Sequence, residues 1–207
     1  MPGTIVTTAA LAADVGAGDN AAMKFCPDCG APVRVEVPSG DHLPRHVCSG
    51  CETVHYHNPK LIVGCVPEHE GRILLCKRAI EPRLGYWTIP AGFMENDETL
   101  QQAAARESWE EALARVEIGS LLAVVHVLHA HQVHVMFRAR LPVPEFGVGE
   151  ESLETALYLP GDIPWADIAF PSVRFALQHY LHDRASGRED VHFTDFDRRS
   201  GLGYPAT

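Results

Sequence analysis

The chain is 207 residues long and 46% hydrophobic, and its 27 Asp and Glu outnumber 17 Lys and Arg to give a formal net charge of -10. That length accommodates one sizeable core plus a small module, or two small domains, and the acidic balance argues against a nucleic-acid backbone as principal partner. No apolar run approaches the ~18 residues of a membrane span, so the sequence reads as a soluble protein whose small anionic substrate would have to be met through a metal.

Residues 1–22 precede any structured pattern and read as a disordered segment. Through Met23 they contain no Lys or Arg, so they lack the basic start of a secretory or organellar leader and the chain is expected in the cytoplasm. Met23 itself, directly ahead of the first recognisable pattern, is a candidate translation start.

Residues 23–58 are rich in Cys, His, Pro and Gly and poor in apolar runs, the composition of a small module held by a staple. Cys26-Pro27-Asp28-Cys29 and Cys48-Ser49-Gly50-Cys51, eighteen residues apart, have the spacing of a tetrahedral four-thiolate zinc site. Four protein thiolates leave no position for water, so this Zn²⁺ is expected to be structural. Cys65 and Cys76 stand alone in apolar runs and read as small core residues.

A larger domain is expected over residues 59–184. LIVGCVPEHEGRILLC reads as two strands around an EHEG turn, and YWTIPAGF as a short strand ended by Pro90 and Gly92. TLQQAAARESWEEALA favours helix, with Thr99 and Gln102 forming a capping box. LLAVVHVLHA and QVHVMFRARL are two further strands, PVPEFGVGEESLE a loop followed by a short run TALYLP, and PSVRFALQHYLHDRA a closing helix. Residues 185–207 are polar and expected to be loosely ordered. Hairpin neighbours flanked by helices imply an α/β fold, a mixed sheet covered by helices on both sides.

The first helix carries Glu107, Glu110 and Glu111 at i, i+3 and i+4. Like charges at that spacing repel by about 0.2–0.5 kcal/mol per pair, a cost that a divalent cation would reverse. Carboxylates are hard oxygen ligands suited to Mg²⁺, which keeps several waters and binds substrate phosphates. Ala103 and Ala104, one turn earlier, would leave room for substrate. Arg106 is placed to hold Glu107 or Glu98 by charge-assisted bonds, and Gly92 lets backbone approach a metal and offer its carbonyl.

From Gly92 the chain reads Gly, five residues, Glu98, seven residues, then Arg106-Glu107-Ser108-Trp109-Glu110-Glu111. This resembles the Nudix box. Ser108 replaces the usual aliphatic residue and Leu113 the final Gly, which implies a different exit from the helix, or strain, at Leu113. With FCPDCGAPV, HVCSGCETVHYHNPK and the run from Val63 to Glu95, the chain is similar to zinc-ribbon Nudix hydrolases. The resemblance implies a Nudix α/β/α sandwich behind a small zinc ribbon, hydrolysis of a nucleoside diphosphate linked to another group, Mg²⁺ (or Mn²⁺) on Gly92, Glu107, Glu110 and Glu111, and a homodimer. Its substrate would be a dinucleotide or nucleotide-sugar, FAD or ADP-ribose foremost. The segment that distinguishes NADH pyrophosphatases is missing, and Val127-Leu128-His129 replaces a Pro found in ADP-ribose enzymes.

The water proton would pass to Glu107, or to Glu151 or Glu154 of the GEESLE loop. Glu98 supports the substrate site, and Tyr86 and Trp87 are candidates for stacking on adenine or flavin, although a Trp before a tight turn also fits a core position. His126, His129, His131 and His134 lack a strong ligand spacing and are expected to face solvent or substrate. The alternatives are an NADH pyrophosphatase and a nucleotide-sensing module that binds without hydrolysis.

Overall fold

The computed structural model describes residues 23–197, so the segment expected to be disordered, 1–22, and the last part of the tail lie outside the described residues. The chain divides after His57 into two compact units. In the first, β1 (Val33–Glu36), β2 (Arg45–Cys48) and β3 (Val54–His55) form a small antiparallel sheet with β2 in the centre. Val35 and Val37 stay exposed, while Cys26, Val47 and Cys48 are its buried apolar residues. So thin a core needs a covalent or metal staple.

The second unit is built on one mixed sheet. Its strands are β4 (Lys60–His69), β5 (Arg72–Arg78), β6 (Trp87–Thr88), β7 (Ala91–Phe93), β8 (Glu117–Val127), β9 (Gln132–Arg140), β10 (Ser152–Tyr158) and β11 (His192–Phe196). The main order is β10-β5-β4-β9-β8-β11, with β6 on β5 and β7 on β4. β4 runs parallel to β9 and β11 parallel to β8. Central β4 is buried on both faces, which is why it reads as a continuous apolar run. Its alternate residues divide between two cores: Val63 and Cys65 pack with Ala103 and Ala104 of helix α1 (Leu100–Ala112), whereas Val66 packs with Val173, Ala176 and Leu177 of helix α2 (Pro171–Ser186). The helices therefore cover opposite faces, the expected α/β/α sandwich.

The EHEG turn forms between β4 and β5, with Glu70 and Gly71 both at positive φ, as a tight hairpin turn of this hand requires. YWTIPAGF is not one strand but two. Pro90 has no N–H to donate to a ladder, and its carbonyl instead accepts a bond from Cys65 N at 3.2 Å. Ala103 and Ala104 do not leave room for substrate. Both are fully buried, and their small side chains let α1 lie close on the sheet.

The tail also departs from expectation. α2 runs on to Ser186 and is closed by Gly187 at φ 66, and residues 192–196 then add a parallel edge strand. The strand is short and polar, so its alternation is weak, but a buried ion pair anchors it. Asp183, 1% exposed, pairs with Arg138 of β9 and accepts from His192 Nε2 at 2.9 Å, while Arg138 also donates to the carbonyls of Leu121 and Asp190. Removing one partner of such a pair strands the other charge. Asp183→Ala is therefore expected to cost about 3–5 kcal/mol in urea unfolding; a loss below about 1 kcal/mol would show that the strand docks without the pair.

Candidate active site

Helix α1 begins at the predicted capping box: Thr99 Oγ1 accepts from Gln102 N at 3.2 Å and Gln102 Oε1 accepts from Thr99 N at 2.8 Å. It ends at Leu113, whose φ of 49° and ψ of 28° are left-handed. The helix thus takes the exit a glycine would take, so of the two expected alternatives Leu113 brings strain rather than a different exit, at a side-chain cost of about 1–2 kcal/mol. Ser108 is accommodated as well. It is fully buried, donates to Ala104 O at 2.9 Å and meets Cys65 Sγ at 3.2 Å.

Arg106 is the hub of the site. Its Nε and Nη2 grip the two oxygens of Glu98 at 3.0 and 2.8 Å, Nη1 donates to Glu107 at 2.7 Å and Glu110 at 2.8 Å, and Nη2 also reaches the carbonyl of Phe93 at 3.1 Å. Glu98 in turn accepts from Glu95 N at 2.7 Å, which ties the loop after β7 to the helix. Gly92 lies against Glu107: a Cβ there would sit 2.4 Å from both carboxylate oxygens. Gly149, which sequence reasoning passed over, is equally constrained, since a Cβ would fall 1.7 Å from Glu110 O. It brings the loop that bears Glu151 against the end of α1.

Two of the three box glutamates are buried, Glu107 at 8% and Glu111 at 5% exposure. Burial raises the pKa of both, and Glu151 adds repulsion to each; Glu111 is pushed up to about 8 by burial and then by Glu107, with Arg78 pulling the other way. Glu111 Oε2 is buried with no hydrogen-bond partner among the described residues. A buried carboxylate oxygen without a partner is costly, and a cation relieves that cost. Glu107, Glu110 and Glu111 thus offer hard oxygen donors of the kind a divalent ion takes, and the buried pair has a reason to take one.

Other predicted residues separate. Glu151 is exposed and close enough to act on both buried glutamates, whereas Glu154 pairs with Lys77 at 3.4 Å. Tyr86 is partly exposed, with the Arg83 guanidinium 5.2 Å from the centre of its ring. Trp87 is not a stacking surface. It is 6% exposed, lies in the core edge-on to Tyr158 and so corrects the substrate-binding assignment. His134 is buried and its Nε2 donates to Gln132 Oε1 at 3.0 Å, and burial lowers its pKa to about 4. Arg78, missed because a lone strand-end arginine carries no pattern, is the cation that Glu111 senses.

In the first unit the four sulfurs of Cys26, Cys29, Cys48 and Cys51 converge, with separations of 3.8 Å (Cys26–Cys51), 3.3 Å (Cys29–Cys48) and 3.5 Å (Cys29–Cys51). A tetrahedron with Zn–S bonds of about 2.3 Å has edges of about 3.8 Å, so the sulfurs need little movement. The N–H groups of Cys51 and Gly50 point at Cys48 Sγ and lower its pKa to about 6, favouring the thiolate that binds metal.

Residues 24–57 match the Nudix N-terminal zinc-ribbon model and residues 58–160 the NUDIX domain model. A Nudix hydrolase of known structure from Nitrosomonas europaea is 51% identical and superposes with a TM-score of 0.81, over 84% of this chain and 100% of that one. The chain belongs to the Nudix hydrolase family. Nudix enzymes generally use divalent cations, in keeping with the acidic site. A MutT-like protein from Streptomyces ambofaciens is 36% identical over 94 residues, 45% of this chain and 57% of that protein. The NAD-capped RNA hydrolase NudC from Chromobacterium violaceum is 36% identical over 96 residues, 45% of this chain and 34% of that protein. This Nudix chain thus spans between a third and just over half of those curated relatives. Among its described residues no helix is long and apolar enough to cross a membrane.

Glu111 makes stability depend on pH. The folded protein holds its proton up to about pH 8, whereas its ordinary value is 4.5, so between these values the folded state binds more protons and stability falls as pH rises. Cation-free protein is expected to lose thermal stability across that window more steeply than Glu111→Gln. A divalent ion at a hundred times its dissociation constant should add about 2.7 kcal/mol to the wild type. Superimposable pH profiles for the two proteins would remove Glu111 as the destabilising group.

Proposed function

We propose that the protein hydrolyses the diphosphate of a nucleoside diphosphate linked to another group, FAD or ADP-ribose, giving AMP and FMN or ribose 5-phosphate. The observation that carries this reading is the burial of Glu107 and Glu111, with Glu107 against the Gly92 backbone and Arg106 holding Glu98, Glu107 and Glu110 in one array. A merely solvated acidic face would leave its carboxylates in water. Glu107, Glu110, Glu111 and the Gly92 carbonyl would hold Mg²⁺ or Mn²⁺. When bound, such an ion would supply positive charge against the diphosphate and a more acidic water.

The remaining work falls to side chains. Arg106 and Glu98 fix the carboxylates before substrate arrives, so little reorganisation is needed during the reaction. Glu151 is the general base: it is exposed, coupled to both buried glutamates, and free of the pairing that holds Glu154 to Lys77. Tyr86, capped by Arg83, offers a cationic aromatic ledge for a flavin or adenine ring. Ser108 and Leu113, the two departures from the box pattern, are both accommodated without loss of a box acid, which weighs against the sensing alternative.

With Mg²⁺ and a panel of FAD, ADP-ribose, NADH and NAD⁺, phosphomonoester release is expected for FAD or ADP-ribose, and Glu110→Gln serves as the blank. Glu151→Gln should lower kcat by about 10²- to 10⁴-fold with an unchanged unfolding midpoint. A kcat within threefold of wild type would eliminate Glu151 as base, and binding of one compound without turnover of any would return the sensing reading.

A further inference from the structure

The ribbon holds a second donor set, which overlaps the four-cysteine site at Cys26 and adds two residues that site does not use. Cys26 Sγ, an Asp28 carboxylate oxygen and a His55 imidazole nitrogen all lie within 4.8 Å of one another. His55 is half-buried, and its Nε2 is shut off from solvent with no hydrogen-bond partner among the described residues. An imidazole nitrogen buried without a partner costs about 1–3 kcal/mol, so the ring calls for a ligand. Asp28 lies between Cys26 and Cys29 in the first cysteine pair and is exposed, so solvent can complete a coordination sphere there.

Charge favours the same conclusion. A divalent ion on four thiolates leaves a net charge of about -2 at a nearly coreless module, within a chain whose formal charge is already -10. A second divalent ion bridged through Cys26 and held by Asp28 and His55 would offset that excess. Mixed nitrogen, oxygen and sulfur donors suit Zn²⁺ and Co²⁺ better than the hard Mg²⁺.

We infer that the ribbon binds a second transition-metal ion at Cys26, Asp28 and His55, sharing the Cys26 thiolate with the four-cysteine site. The shared thiolate makes this site dependent on the first, and its three protein ligands make it the weaker and more exchangeable of the two.

Titration of the reduced, metal-stripped full chain with Co²⁺ tests this, because thiolate-to-cobalt absorption reports only ions bound to sulfur and is blind to the carboxylate site on α1. The wild type is expected to gain this absorption in two steps. In Asp28→Ala and His55→Ala the first step should be unchanged and the second lost or weakened about 10- to 100-fold. Asp28 is exposed, so its variant folds whatever the fate of the His55 one. A single step in the wild type, or a second step that survives unchanged in both variants, would overturn the inference.

Discussion

The functional face of this Nudix hydrolase depends on one guanidinium. Arg106 reaches Glu98 across the loop, Glu107 beside it, Glu110 one turn on and the carbonyl of Phe93, so it ties the end of β7, the entry to α1 and the acidic face together. Without it, three carboxylates at helical spacing and a fourth in the loop would repel. The planar fork of five donors makes this possible, and a lysine could not replace it.

That clamp works only because α1 is pinned from below. Ala103, Ala104 and Ser108 are small enough to seat the helix on β4 and β9, which carries Glu107 and Glu111 out of solvent. Burial raises the affinity of both carboxyls for protons, which a cation displaces on binding. Glycine appears where backbone must touch this array, at Gly92 over Glu107 and Gly149 over the end of the helix. The sheet therefore acts through packing distance: it sets how deep the acids lie.

Much of this was legible in the sequence, because the informative features are local. The capping box, the cysteine pairs and the glutamate spacing each lie within one element or two short loops, and the structure brings Glu98, Arg106, Glu107 and Glu110 together as their spacing requires. What escaped was set by tertiary contacts. Trp87 has the composition of a stacking residue, but its neighbours place it in the core. Strand β11 has too little alternation to announce itself and depends on Asp183 and Arg138, forty-five residues apart. Arg78, Gly149 and His55 matter through partners far away in the chain, for which no periodicity or spacing exists.

The acids of α1 are proposed to form a divalent-cation site. Manganese binding, followed by loss of the free-ion electron paramagnetic resonance signal, tests it most directly, in wild type and in Glu111→Gln. Saturable binding is expected in the wild type, weakened about 10-fold or more in the variant while its fold stays intact. Equal manganese affinity in the two proteins would contradict it.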